Sequence, residues 1–168
     1  TKKPYVSHVQ RYSVKPGMIM TSDNFQGMVL KGVGKEYDLT YISQHVIDGE
    51  IPLFTDTAAT NKVMLSKSMA DKLKLKAGDK IYTYYVDDNV RARRLTVSAI
   101  YQTNFSAFDD YFLITDIYTV NRLNKWEPDQ VSGVEIDVDD YSRIDEVNDN
   151  LRSSLFESSD KYGQSYFS

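Results

Sequence analysis

Residues 61–101 read NKVMLSKSMADKLKLKAGDKIYTYYVDDNVRARRLTVSAIY, and the order of elements in this stretch decides the fold. The apolar run Val63–Leu65 predicts a strand, and Ser66 directly after it can cap a helix. That helix is short and amphipathic, and it ends at Gly78-Asp79. Two alternating strands then pair across the polar turn 87–89. The stretch therefore predicts a strand–helix–strand–strand unit.

Two strands and one helix are predicted ahead of this unit. Alternation predicts a strand over Val6–Met20 that Pro16-Gly17 interrupts, followed by a second strand over Gln26–Val33. Asp38 is placed to cap a helix that ends at Gly49. Four residues at helical spacing would give this helix one apolar face: Leu39, Ile42, Val46 and Ile47.

The segments that end and follow the unit continue to mix strands with helices. One face of its last strand is expected to carry Leu95, Val97 and Ala99. Asp116 is expected to begin a helix, and residues 131–138 and 144–155 predict a further strand and a final amphipathic helix. About seven or eight strands and four helices, several of them joined by short connections, predict an α+β fold with a mixed, mostly antiparallel sheet and helices packed on it.

Composition and charge exclude several classes of protein. The 168 residues carry a net charge of −4, whereas a nucleic-acid-binding domain normally presents a basic face. No apolar run approaches the length of about 18 residues that marks a membrane helix, so a soluble domain is expected. The chain has no cysteine, which excludes disulfides and thiolate chemistry. Its last residues, 164–168, alternate like a strand, so we expect a piece of a larger protein.

No motif for catalysis or cofactor binding is complete. His8 and His45 have no second ligand at metal spacing. Gly32–Lys35 lacks the earlier glycine and the later Ser or Thr of a phosphate-binding loop. Three acidic pairs fit turns better than an acid–base dyad or a calcium loop: Asp87-Asp88, Asp109-Asp110 and Asp139-Asp140. We therefore expect no catalytic, metal-binding or cofactor-binding residue in this chain.

A set of short motifs in a fixed order resembles one family. They are Gly32-Val33-Gly34, Val46–Glu50, Lys62–Leu73 and Gly78-Asp79, followed by Leu95–Tyr101, Phe108-Asp109, Tyr111–Ile114, Asp116–Leu123 and Val131–Ile136. Together they span about residues 6–140 and resemble the extracytoplasmic domain of FtsX/MacB-type ABC transporter permeases. The similarity is strongest to the lipoprotein-releasing LolC/LolE branch.

The resemblance implies a domain layout and a function. Residues 1–24 and 106–168 would form a porter-like α/β lobe, and residues 25–105 an inserted, strand-rich lobe. The domain would lie on the periplasmic side of the bacterial inner membrane, in a parent chain that spans it. It would pass ATP-driven motion of the membrane helices to a lipoprotein or an envelope partner, without being an enzyme or holding a cofactor. A separate cytoplasmic ATPase subunit would hydrolyse ATP, and a second permease subunit would complete a homo- or heterodimer.

Contacts with a partner are expected at exposed loops. The lipoprotein-releasing branch docks a soluble carrier through a long hairpin after the Gly-Asp turn, whereas this chain has only the short segment Asp87–Arg93 there. Such a short hairpin is not long enough to dock a carrier in the same way. The candidate contact residues are Asn89, Arg91 and Arg93 at the hairpin tip, and Phe105 and Phe108 in the following loop.

Two other interpretations make different demands on the sequence. A double-psi or swapped-hairpin β-barrel module of a cytosolic protein also contains a Gly-Asp turn followed by a hairpin, but it would repeat that unit, and no repeat is found. A small hydrolase would need a nucleophile beside a base, and the sequence offers no such pair.

Overall fold

The structure of this chain, a computed structural model, describes residues 5–21, 24–87, 89–103 and 109–156. The chain divides into two compact units. The larger unit is Gln10–Val134, and the smaller unit combines Thr1–Val9 with Glu135–Ser168. The lobes inferred from the resemblance, 1–24 with 106–168 and 25–105, stay a prediction.

Eight strands and four helices lie within the described ranges. The strands are β1 (Val6–Met20), β2 (Phe25–Val33), β3 (Val46–Gly49), β4 (Lys62–Ser66), β5 (Lys80–Val86), β6 (Val90–Tyr101), β7 (Phe112–Asp116) and β8 (Gly133–Val138). The helices are α1 (Thr40–Gln44), α2 (Lys67–Leu73), α3 (Ile117–Asn124) and α4 (Ile144–Phe156), with a 3₁₀ turn at Tyr141–Arg143.

Six of the strands close into a ring in the larger unit. Their order is β2-β7-β4-β6-β5-β1, and β1 also pairs with β2. Two neighbouring pairs are parallel, β2 with β7 and β4 with β6, and the other pairs of the ring are antiparallel. The predicted α+β class with a mixed, mostly antiparallel sheet is confirmed. The ring closes narrowly, because β1 and β5 pair only between Met18–Met20 and Tyr82–Tyr84.

The inside of the ring is an apolar core to which all six strands contribute. Its strand residues are Ile19, Met28, Leu30, Val63, Leu65, Ile81, Tyr85, Leu95, Val97, Ile100 and Leu113. Helices α2 and α3 add Met69, Ala70, Leu73, Val120 and Leu123. Because burying one such aliphatic side chain contributes roughly 1.5–3 kcal/mol, this core supplies much of the drive to fold.

The two core helices begin where the sequence predicts. Ser66 Oγ accepts a hydrogen bond from Met69 N at 3.1 Å and donates one to the Asp109 carbonyl. Asp116 Oδ1 accepts a hydrogen bond from Thr119 N at 2.7 Å. Each cap satisfies an amide of the first turn, which has no partner inside the helix. The start signals of both helices are therefore confirmed.

Part of the ring is covered on its outside by residues 34–61, the covering segment. A second buried cluster lies between the segment and the ring: Phe54 of the segment packs with Val33, Met64, Ala99, Tyr101 and Ile114 of the strands. Side chains of the covering segment pack against this cluster: Tyr37, Leu39, Ile42, Val46 and Ile51. Strands β4, β6 and β7 are therefore apolar on both faces, because both faces are buried.

Arg11 of β1 ties the covering segment to the ring. Its Nε lies 2.6 Å from Glu36 Oε1, and its Nη2 lies 2.8 Å from Asp56 Oδ2. The bidentate contact with the Arg11 guanidinium lowers the pKa of Glu36 to about 2. Glu36 therefore carries its charge over the ordinary pH range, and the ion pair holds the segment in place.

The helix predicted after Asp38 is shorter than its apolar spacing indicated. Asp38 Oδ1 accepts a hydrogen bond from the first residue of α1 at 2.8 Å, but α1 covers only Thr40–Gln44. Residues Val46–Gly49 form β3 instead, and Val46 lies opposite Tyr101 of β6. The predicted extension to Gly49 is wrong, because pairing with β6 overrides a helical spacing that arises only locally.

A β-bulge in β6 changes which side chains face the core. Val63 of β4 lies opposite Val97, but the next residue, Met64, lies opposite Ala99, so Ser98 is the extra residue. Val97 therefore belongs to the core inside the ring, whereas Ala99 packs in the outer cluster with Met64. The prediction that Ala99 shares a face with Val97 is wrong, because one inserted residue shifts the alternation.

Strand β1 runs through Pro16-Gly17 without the predicted interruption. Pro16 lies opposite Val29 in a continuous antiparallel register with β2. A side chain at Gly17 would place its Cβ 2.7 Å from the Tyr85 ring and 2.8 Å from the Tyr84 carbonyl oxygen. Glycine thus lets β1 pass close to β5, where burial raises the pKa of Tyr85 to about 12.

The smaller unit joins the start of β1 to the last helix. Asp139 N donates to the Tyr5 carbonyl at 3.0 Å, and the Arg143 guanidinium lies over the Tyr5 ring, 4.5 Å from its centroid. Asp140 Oδ1 accepts from Ser142 N at 2.9 Å and caps the 3₁₀ turn. These contacts precede α4, whose presence confirms the final helix predicted from the sequence.

Candidate functional site

The described residues do not gather the groups of a metal centre. In those ranges no cluster of three or more His, Asp or Glu side chains is placed to hold a metal ion. His8 lies on β1, and the Nδ1 atom of His45 lies 2.8 Å from the Tyr41 carbonyl oxygen. The described part of the chain also has no helix with the length and apolarity to span a membrane, since α4, its longest, has 13 residues.

An exposed apolar surface lies on the outside of β1, β2 and β5. Met20 is the central residue, with Phe25 directly opposite it on β2 and Tyr82 directly opposite it on β5. Their exposed fractions are 47%, 76% and 48%. Directly opposed residues project from the same side of a sheet, so these three side chains form one row across three strands.

A second row extends this surface along the hairpin of β5 and β6. Met18 lies opposite Tyr84, and Val86 lies opposite Val90 near the turn. Successive residues of a strand alternate in direction, so Tyr84 and Val86 share the side of Tyr82. We call the whole surface the apolar sheet face: Met18, Met20, Phe25, Tyr82, Tyr84, Val86 and Val90.

The other side of β5 is fully buried. Ile81, Thr83 and Tyr85 alternate with the exposed residues, and none of the three is more than 2% exposed. The strand therefore has no freedom to turn its outward residues inwards. Their exposure follows from the fold itself, and contiguous exposed apolar surface of this kind is typical of sites that bind a protein, a membrane or a ligand.

A cavity of about 420 Å³ adjoins one end of the apolar sheet face. Its lining combines apolar side chains (Met20, Leu73, Leu75, Ile81 and Tyr82) with polar and charged ones of both signs (Thr21, Asn24, Lys74, Asp79 and Lys80). The side chains of Met20 and Tyr82 belong both to the cavity and to the face. The cavity therefore has room for an apolar side chain, in a lining of mixed charge.

The hairpin tip carries three of the candidate contact residues. Asp87 N donates to the Asn89 carbonyl at 3.3 Å, which closes the turn. The ammonium group of Lys15, 2.6 Å from Asp87 Oδ1, lowers the pKa of Asp87 and fixes the tip to β1. Arg91 Nη1 donates to the Leu123 carbonyl at 3.5 Å, at the end of α3. One function of Arg91 is therefore internal support.

The structure brings only part of the predicted contact set together. Asn89, Arg91 and Arg93 lie on the same hairpin, and Arg93 is exposed, with its Nη1 at 3.0 Å from the Ala92 carbonyl oxygen. Phe105 and Phe108 lie outside the described residues. Sequence reasoning did not single out the apolar sheet face, although the presence of apolar and aromatic residues on both sides of β5 was its signal.

Comparison with known proteins identifies a family and a fold. A family model described as the MacB-like periplasmic core domain matches residues 2–154. No curated protein matches the chain. Among solved structures, the extracellular domain of YknZ, a noncanonic ABC-type transporter from Gram-positive bacteria, aligns with a TM-score of 0.60 and 16% identity. The alignment covers 89% of this chain and 78% of that one.

Two further structures are similar. The periplasmic region of MacB from Actinobacillus actinomycetemcomitans has a TM-score of 0.57 at 14% identity, over 95% of this chain and 80% of that one. A domain of a putative permease protein from Porphyromonas gingivalis has a TM-score of 0.53 at 15% identity, over 94% of this chain and 66% of that one. At identities this low, the likeness shows the fold alone.

Proposed function

Because this chain belongs to the family of MacB-like periplasmic core domains, we propose that it contacts a partner protein outside the membrane and passes ATP-driven motion to it. The family match supports the periplasmic domain of an ABC transporter permease, and we propose no catalytic role for the domain itself. We assign the hydrolysis of ATP to a separate cytoplasmic ATPase subunit. The permease acts with a second permease subunit, as a homo- or heterodimer.

The observation that carries this proposal is the apolar sheet face. A domain that transmits motion must grip a partner, and protein contact surfaces concentrate Tyr, Phe, Met and Arg at their centres. The row of Phe25, Met20 and Tyr82 supplies such a centre, and Arg94 lies directly opposite Tyr82 on β6. The adjoining cavity offers room for an anchoring side chain.

A lipoprotein or an envelope protein is the partner that suits this location. The order of motifs along residues 6–140 supports the lipoprotein-releasing branch. The short turn 87–89 argues against docking of a carrier through a long hairpin, as that branch does it. We therefore place the contact on the broad sheet face rather than on the tip alone. The cytosolic barrel module is not favoured, because the matching family model describes a periplasmic domain.

The proposed transmission of motion is tested by measuring distances in the complete transporter. The chain has no cysteine, so Thr57→Cys on the covering segment gives it one attachment point for a spin label. A second label is placed in the equivalent loop of the other permease subunit. We expect the distance between the labels to change by at least about 5 Å between the nucleotide-free and vanadate-trapped states.

A control pair of labels within one domain separates rigid movement from deformation. Thr57→Cys combined with Asp71→Cys places both labels in the larger unit, and their distance should stay constant between the two states. A constant distance between the two subunits, in a preparation that hydrolyses ATP, would contradict transmission of motion through this domain.

A further inference from the structure

The hairpin of β5 and β6 has one edge without a strand partner in the described ranges. Strand β4 pairs with β6 only from Thr96 onwards, and β3 pairs with it only from Ala99 onwards. Residues Val90–Arg94 pair with β5 alone. This part of β6 therefore presents a strand edge on the side away from β5.

The backbone groups of Ala92 and Arg94 point off this edge. On the β5 side, Val97 N donates to the Asp79 carbonyl at 2.8 Å; on the opposite side, Thr96 N donates to the Asn61 carbonyl at 2.9 Å. Backbone groups of successive residues point to opposite sides of a strand, and the register of β6 with β5 is continuous. The even-numbered residues therefore direct their N–H and C=O groups outwards, and the Ala92 carbonyl accepts a hydrogen bond from Arg93 Nη1 at 3.0 Å, which an added strand would share or replace.

The edge is strongly cationic. Three of its five residues are arginines, and none is acidic: Val90, Arg91, Ala92, Arg93 and Arg94. The nearby carboxylate of Asp87 already pairs with Lys15 at 2.6 Å. Arg91 and Arg93 lie opposite the buried residues Tyr85 and Thr83, so they share one side of the hairpin, whereas Val90, Ala92 and Arg94 lie on the side of the apolar sheet face. The two sides of this edge thus differ in chemistry.

We propose that an extended segment of the partner protein adds to this edge as a further strand. Its backbone would pair with Ala92 and Arg94, as in other cases of strand addition. Its acidic side chains would lie beside Arg91 and Arg93, and its alternate, apolar side chains would continue the apolar sheet face. The inference rests on the proposed function, since it requires a protein partner.

The arginines also determine which segments cannot pair with the exposed edge of β6. Charges on an exposed edge discourage pairing between identical edges, because a second copy would bring arginine against arginine. A cationic segment is repelled for the same reason. An acidic segment gains opposite-charge contacts, so one feature both prevents self-association and selects the partner.

A titration of this 168-residue chain with designed peptides tests the proposal. The probe is a capped peptide of about six residues in which Val alternates with Glu, long enough to span the edge. Backbone amide shifts are followed by NMR. We expect saturable shifts centred on Ala92 and Arg94. A peptide alternating Val with Lys should bind at least about tenfold more weakly.

A third peptide isolates the contribution of the backbone. Methylation of the amide nitrogens on the pairing side of the Val-Glu peptide removes hydrogen-bond donors and leaves the charges in place. Strand addition predicts that this peptide does not bind. Equal binding of the methylated and unmethylated peptides, or of the acidic and basic ones, would overturn the proposal.

Variants of the chain give independent evidence. Arg93→Glu should weaken binding of the Val-Glu peptide by about tenfold, whereas Arg152→Glu, the same charge change on exposed α4, should leave it unchanged. Ala92→Pro removes an N–H that points off the edge and should abolish binding. If Arg93→Glu binds the peptide as tightly as the parent chain does, strand addition is wrong, even if nucleotide-dependent motion of the domain is observed.

Discussion

The ring of strands has two apolar outer faces, and the described part of the chain covers only one of them. On β4, β6 and β7, the covering segment buries the outer residues, and Phe54 is only 5% exposed. On β1, β2 and β5, residues of similar character remain in contact with solvent, and Phe25 is 76% exposed. Hydrophobic character alone therefore does not tell which face belongs to the core.

The two faces contribute differently to the stability of the domain and to the binding of a partner. The covered face is fixed by packing and by the ion pairs of Arg11 with Glu36 and Asp56, so its residues serve the fold. The apolar sheet face contributes less to folding, because Met20, Phe25 and Tyr82 keep 47%, 76% and 48% of their surface exposed to water. Apolar residues that do not stabilise the domain are available for binding a partner.

The largest effect should come from the same substitution made on the two faces. Phe54→Ala removes the buried ring by which the covering segment packs on the covered face, and should lower the free energy of unfolding by about 3–5 kcal/mol. Phe25→Ala, on the apolar sheet face, should change it by no more than about 0.5 kcal/mol. Urea unfolding at equilibrium measures both. An equal decrease in the free energy of unfolding for the two variants would contradict the distinction between the faces.

A smaller effect is expected where β1 passes β5, at the edge of the apolar sheet face. Gly17→Ala brings a Cβ to within 2.7 Å of the Tyr85 ring, and such overpacking should cost about 1–3 kcal/mol. Gly27→Ala is the matched control on β2, since its Cβ would meet nothing within 4 Å. Thermal unfolding compares the two. A Gly17→Ala variant as stable as Gly27→Ala would show that the close approach is wrong.

The smallest effect concerns the ion pairs of the covering segment. The pKa of Glu36 is lowered from 4.5 to about 2 by the guanidinium of Arg11. A carboxylate with a lowered pKa stabilises the fold above its unfolded pKa, so this contribution should disappear as the pH falls from 4.5 to about 2. Because solvent screens the pair, we expect a loss of about 1 kcal/mol.

The Glu36 contribution can be isolated by substitution. Glu36→Gln should lower stability at neutral pH and should flatten the acid limb of the stability–pH curve. Glu127→Gln, at an exposed glutamate, serves as the control and should keep the limb of the parent chain. Identical acid limbs for Glu36→Gln and the parent chain would show that this carboxylate does not hold the covering segment.

Local signals explain what the sequence could predict. The caps at Ser66 and Asp116 involve a side chain and a backbone amide three residues away, so they are visible in a short window. The turn signal at 87–89 between two alternating strands is equally local, and the structure confirms the pairing of β5 with β6 that it predicts. The α+β class follows from the number and order of such elements.

The errors arise where distant residues decide the structure. Val46 joins a strand because it meets Tyr101, and Ala99 changes face because Ser98 is inserted opposite β4. Closure of the ring depends on the short pairing of Met20 and its neighbours with β5. Neither a periodicity nor a motif carries this information, since each depends on contacts between strands far apart in sequence.

The candidate site was predicted less completely than the fold. The tip residues Asn89, Arg91 and Arg93 follow from a turn, and their role in binding stays a prediction. The apolar sheet face requires the knowledge that Tyr82 and Met20 lie side by side, which only the register of β1 with β5 supplies.

The central claim is that the apolar sheet face is covered by a partner in the working transporter. Thiol labelling of Tyr82→Cys measures this most directly, in a transporter whose other cysteines have been replaced, since these 168 residues contain none. The labelling rate is compared between the isolated domain and the complete transporter in intact cells, where its lipoprotein or envelope partner is present, with Thr57→Cys on the covering segment as the reference. We predict that the rate at position 82 falls by about tenfold or more in the transporter, as at the core of a protein interface, while the rate at position 57 is unchanged. Equal rates at position 82 in the two preparations would contradict the account.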